Sequence, residues 1–393
     1  MKIIKNSLIA LLLLLLIAAL LMRLFAPAAI ERELNKVSPH EPWPISAKAK
    51  SLHQDILIGD WHSDSTLWAR DLNQWADRGH MDVPRLQAGN VAMQMFTSVT
   101  KSPSGQNYDR NETEAGDTIT LLAIIQGWPI RTWNSLAERA LYQAERLQAV
   151  VDDNPEAIRL VRSQEDLQEV LQQRAKGQQQ VAALLGTEGS HALDGKIENV
   201  ERLYNAGFRM MGLHHFFDNK LGGSLHGTSA AGLSEFGREA VQEMERLGII
   251  VDLAHSSEAV VRDVLALVTR PVVVSHTGLH GHCPGPRNIS DELMQEIAQQ
   301  GGLIAIGYWD GAVCEITPSN IVKAMRYGIE LLGVEHIALG SDYDGSTEVQ
   351  FDTSELAVLT EEMLKAGFSE GEIRAVMGEN MKRFLLANLP AQD

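Results

Sequence analysis

The sequence predicts an α/β fold: a (β/α)8 barrel of the TIM type, with a helical insertion after the second strand and an N-terminal membrane-directed helix. Two observations predict the barrel. Eight short apolar runs occur, most followed by a helix-like pattern, and six of them end in a His, Asp or Glu. An unbroken apolar stretch from Leu8 to Met22 predicts the N-terminal helix.

That stretch follows Lys2 and Lys5 and precedes Arg23, and its length lies between a signal-peptide core and a full membrane span. Ala26-Pro27-Ala28 is a candidate cleavage site, although its central proline counts against cutting, and no cysteine lies nearby for lipid attachment. The basic residues ahead of the run favour export of the remainder of the chain, to the periplasmic or extracytoplasmic side. The segment contacts the membrane if it stays uncleaved. Residues 1–30 read as a signal peptide or single-pass anchor, 31–50 as a polar, proline-containing linker, and 51–393 as the barrel domain.

Composition fits one large globular unit: of 393 residues, 45% are hydrophobic and 22% charged. A net charge of −17 with no Lys/Arg cluster argues against a nucleic-acid partner. The sequence contains no Gly-x-Ser-x-Gly elbow, Walker loop or dinucleotide glycine fingerprint.

The predicted strands are residues 56–61, 91–97, 181–186, 208–213, 249–253, 272–275, 303–307 and 336–340. Amphipathic stretches at 234–247, 258–268, 291–300 and 321–332 each begin near a Ser, Asp or Asn cap. The connection from Ser98 to Gln180 is far longer than the rest; it predicts one or two helices over 117–151 and another over 165–176.

In a (β/α) barrel the carboxyl ends of the strands converge on one face, so residues far apart in sequence meet there. His62 and Asp64 are two apart at the end of the first strand and face the same side of an extended chain. Glu188 follows the third strand between glycines, and a carboxylate with two oxygens suits bridging two cations. The alternative for Glu188 is an acid at a helix N-terminus. His215, His255, His276 and Asp342 follow the fourth, fifth, sixth and eighth strands. A lone histidine there is more often structural, but two ending successive strands point to ligation, since imidazole is a common zinc donor. Cys283 and Cys314 can form a disulfide or remain two buried thiols; spacing leaves both open.

With those residues in view, the chain resembles the membrane dipeptidase family of the metallo-dependent amidohydrolase superfamily. The matching segments begin with Asp60-Trp61-His62-Ser63-Asp64, Thr187-Glu188-Gly189 and His215 with Asn219 beyond it. They continue through Asp252-Leu253-Ala254-His255, Ser275-His276, Arg287-Asn288-Ile289-Ser290-Asp291, Gly340-Ser341-Asp342-Tyr343-Asp344-Gly345 and Gly378-Glu379-Asn380. The resemblance implies two zinc ions per chain, one on His62 and Asp64, one on His255 and His276, with Glu188 bridging. It also implies hydrolysis of dipeptides: His215 and Asn219 contact substrate, Arg287 pairs with its free carboxylate, and Asp342 handles the proton of the attacking water. It favours pairing of Cys283 with Cys314, and leaves open whether the chain forms a homodimer. The family usually has Gly and Asn where Trp61 and Ser63 stand, and Thr where His214 stands; of His214 and His215, His215 is the one expected to face the cleft.

Two other readings remain. One is another amidohydrolase, acting on lactones or acyl-amino acids; several of these bridge their metals with a carboxylated lysine, and no predicted strand here ends in Lys. The other is a catalytically silent, membrane-tethered binding barrel.

Overall fold

The computed structural model describes residues 2–392. All eight expected strands form. They are β1 (Ile58–Ser63), β2 (Val91–Val99), β3 (Val181–Glu188), β4 (Phe208–Gly212), β5 (Ile250–Asp252), β6 (Val273–Thr277), β7 (Leu303–Ile306) and β8 (Ile337–Leu339). Each pairs in parallel with the next, and Leu339 of β8 pairs with Asp60 of β1, so the sheet closes. Closure leaves no open edge and packs Met93, Leu184, Met210 and Ala305 among the residues buried inside.

Strand ends differ from expectation where the functional residues lie. His62, Glu188 and His276 are the last or next-to-last residues of their strands rather than loop residues beyond them. The ladder holds their backbones and thereby limits where their side chains can point.

The helices at 234–247, 258–268 and 291–300 form within a residue of expectation. The next starts earlier, at Pro318, because Thr317 caps it and proline suits the first helical turn. The insertion holds α2 (Thr118–Gln126), a second helix at Leu136–Asp153 and a third at Gln164–Ala175. It also adds a three-residue strand, Ile158–Leu160, beside β3.

The segment expected as a linker, residues 31–50, is docked structure. Helix α1 runs from Lys2 to Leu34 without stopping at Ala26-Pro27-Ala28, and is the one described helix long and apolar enough to cross a membrane. Lys36–Val37 then pairs with Glu348–Val349, and a helix begins at Ala47 behind the Ser46 cap. Glu31 is buried and accepts from Arg70 and Arg78; Arg70 in turn donates to Asp344. Composition could not reveal this docking, because the partners lie far along the chain.

Asp344 also accepts from the His80 backbone N–H and the Ser65 hydroxyl. The Glu31, Arg70 and Asp344 side chains thus tie the end of α1 to the loops after β1 and β8. Removing a shared buried cation leaves two carboxylates without it, so Arg70→Met should destabilise the protein by about 3–5 kcal/mol, read as a lowered urea midpoint.

Candidate metal centre and active site

At the carboxyl end of the barrel, Glu188 sits among four imidazoles while only 4% exposed. Its Oε1 lies 3.2 Å from His255 Nε2, 3.4 Å from His276 Nε2 and 3.6 Å from His62 Nε2, and its Oε2 lies 3.4 Å from His215 Nε2. His62 Nε2 is also 3.6 Å from Asp64 and 3.9 Å from Asp342. Three donor groups form, each with its atoms within 4.8 Å: His62, Asp64 and Glu188; Glu188, His215 and His255; His62, His276 and Asp342.

The hydrogen bonds behind these donors fix what they offer. The Ser275 hydroxyl donates to Asp252 at 2.6 Å, so its oxygen receives the Nδ1–H groups of both His62 and His276, each at 3.0 Å. Both rings therefore carry their proton on Nδ1 and turn a bare Nε2 towards Glu188. Asp252 is itself held by the backbone N–H groups of Ala254 and Ser275. Among the described residues His62 Nε2 and Asp342 Oδ1 are buried with no hydrogen-bond partner, and His255 and His276 bring Nε2 atoms within 2.9 Å of each other. Lone pairs converging in a buried site are what a cation needs, so the donor set fits metal.

Burial raises Glu188 and Asp342 well above the usual carboxylate range, with Asp64 adding to both shifts. Burial pushes His255 and His276 well below the ordinary imidazole value, and His215 down to about 4. Burial also penalises the His62 cation, but Asp64 and Glu188 outweigh that and raise its pKa, so these other members disfavour their charged forms while His62 does not.

His215, not His214, faces this cluster. Its Nδ1–H donates to the Lys101 carbonyl, whereas His214 Nδ1 turns to the Ser256 hydroxyl. Arg287 is 2% exposed and, among the described residues, has no carboxylate within ion-pair distance. One terminal nitrogen donates to the His276 carbonyl, the guanidinium lies 5.3 Å from the Trp309 ring, and Nε has no partner.

The Asn219 amide donates to the Leu213 carbonyl and accepts from the Leu221 N–H, so it shapes the loop after β4. Cys283 and Cys314 form a disulfide that ties the Arg287 loop to the segment after β7. Sequence reasoning missed Ser275, Asp252, Tyr108 and Trp309. Tyr108 and Trp309 are joined by a 2.9 Å hydrogen bond beside Arg287, and nothing local in sequence marks that long-range pair.

A model of the membrane dipeptidase family, peptidase family M19, matches residues 46–388. The chain belongs to that family. It is 27% identical to mouse (Mus musculus) dipeptidase 3 over 86% of this chain and 66% of that one. Against the rat (Rattus norvegicus) dipeptidase 3 the identity is 27% over 78% and 63%. The chain thus spans slightly under two thirds of these relatives. Among solved structures it resembles dipeptidase AC, a metallopeptidase of the same family, at TM-score 0.70 and 23% identity, covering 86% of this chain and 99% of that one. A metallopeptidase from Rhodobacter sphaeroides, liganded with a phosphinate mimic of L-Ala-D-Ala, matches at TM-score 0.66 and 22% identity over 85% and 99%. These likenesses extend the membrane dipeptidase barrel to this chain's fold.

In a site built this way, the tautomers and the raised carboxyl pKa values should both govern metal uptake. Ser275→Ala removes the acceptor that sets both tautomers and should weaken divalent-metal binding by about 10- to 100-fold, measured by competition with a chelating dye. Because burial raises the Glu188 and Asp342 pKa values, protons compete with metal for these carboxylates; affinity should rise with pH, and uptake in the range where they titrate should release protons. Calorimetry in buffers of different ionisation enthalpy checks the sign.

Proposed function

We propose that this protein is a binuclear zinc dipeptidase. The observation that carries the proposal is a buried guanidinium without an ion-pair partner, Arg287, facing the same cleft as a paired metal-donor cluster. Family membership supports the reaction class.

In this reading His62 and Asp64 would hold one zinc and His255 and His276 the other, with Glu188 shared between them. Zinc bound there would supply Lewis acidity and lower the pKa of a water from about 16 towards 7. The remaining work belongs to the chain. Arg287 takes the substrate's terminal carboxylate in a two-pronged hydrogen bond, which sets the scissile carbonyl over Glu188. An interior residue of a longer peptide lacks that carboxylate, so short substrates are selected.

Asp342 receives the proton of the attacking water and passes it to the leaving amine as the C–O bond forms and the C–N bond breaks. Its raised pKa suits a group that must hold a proton and then give it up. His215 is held by the Lys101 carbonyl with its Nε2 towards Glu188, so its ring would line the position taken by the substrate carbonyl.

The protein as isolated in detergent should contain close to two zinc ions per chain by metal analysis, and should cleave dipeptides but not tripeptides or C-terminally amidated dipeptides. A metal-free preparation that no divalent ion activates would instead favour a silent binding barrel. Arg287→Ala should raise KM for free dipeptides by roughly 100-fold while sparing kcat more, in proportion to the loss of a charged hydrogen-bonded pair of about 3 kcal/mol.

A further inference from the structure

The cleft is not equally roomy on its two sides. Towards Arg287 it is a small cavity of about 40 Å³, walled by Tyr108, Phe216 and Trp309. Towards Asp64 it opens into a cavity of about 400 Å³, in the size range of small-molecule sites. The walls of the larger cavity are apolar: Trp68 after β1, Leu121, Leu122 and Ile125 of α2, and Ile30 and Leu34 from the last turns of α1. Glu188 and His215 border both cavities, so the two are continuous across the candidate reaction centre.

The apolar wall is held in place by polar contacts beyond it. Glu31, one residue from Ile30, is fixed by Arg70 and Arg78, and the Asp117 side chain that caps α2 accepts from buried Arg139. Leu121 is 60% exposed and Leu34 42%, so both offer unfilled apolar surface at the rim. Burying a large apolar side chain there is favourable by transfer from water alone.

Resting on the dipeptidase reading above, we infer that the larger cavity receives the side chain of the substrate's N-terminal residue, and that this enzyme selects dipeptides with a large apolar residue first and a small residue second. The orientation comes from chemistry. Arg287 anchors the terminal carboxylate in the tight cavity, Glu188 marks the scissile carbonyl, and the residue on the other side of that carbonyl lies towards Asp64. The end of the N-terminal helix is then part of the specificity wall.

The test compares Phe-Ala, Ala-Phe and Ala-Ala with the full-length zinc-loaded protein in detergent. The expected order is Phe-Ala above Ala-Ala by at least about tenfold in kcat/KM, with Ala-Phe the poorest. Leu121→Ser and Leu34→Ser, both at partly exposed positions, should each reduce the Phe-Ala to Ala-Ala ratio severalfold. Cleavage of Ala-Ala with Phe-Ala no better than Ala-Phe overturns the side-chain assignment and leaves the dipeptidase reading intact. Failure to cleave any of the three overturns both. The comparison in the unsubstituted protein stands whether or not the variants fold.

Discussion

Glu188 carries two oxygens into a buried site and meets four imidazole Nε2 atoms at 3.2 to 3.6 Å. At least two of those rings, His62 and His276, present lone pairs rather than protons, because Ser275 has taken their N–H groups. Carboxylate oxygens facing imidazole lone pairs are mutually repulsive unless protons or cations intervene. That repulsion gives the site its affinity for positive charge. The closed barrel supplies the opposing rigidity, since the donors stand on or just beyond six different strands, with only His62 and Asp64 sharing one.

The same tension explains why so much polar machinery lies behind the donors. Asp252 holds Ser275, and Asp60 accepts the backbone N–H groups of His62 and Ser341, so a buried acid braces each side of the cluster. Asp344 and Arg70 brace the loop that carries Asp342, and Arg70 reaches the end of α1 through Glu31. The N-terminal apolar helix therefore joins the same network that shapes the candidate cleft.

The barrel was legible because its strands are continuous apolar runs, buried on both faces, and their ends coincide with a change to polar residues. The donor candidates stood out because imidazole and carboxylate residues end several successive strands, where a single one would more often be structural. What escaped were residues whose role depends on a distant partner. A serine before a histidine carries no signal until Asp252 and His62 are found beside it. Residues 31–50 look like any polar linker, and their docking depends on Arg70, Thr347 and Val349. Likewise, the loop after β4 is closed by the Asn219 amide through partners that only the folded chain brings beside it.

Two of the donors are held in an unusual backbone state. His255 has φ of 60° and Asp342 φ of 57°, in the left-handed region that residues with a Cβ rarely adopt. Such conformations cost on the order of 1–3 kcal/mol each and persist only where surrounding contacts impose them. For His255 the imposition comes from Ser224 and Leu225, which bond its carbonyl; for Asp342 it comes from Gly345 and Thr347, which bond its own. Gly345 has no room for a side chain, because a Cβ there would lie 2.0 Å from Asp342 Oδ1. A relaxed backbone at either position would swing the side chain away from the cluster. The strain thus sharpens the site in advance, so that less reorganisation remains when positive charge and substrate arrive.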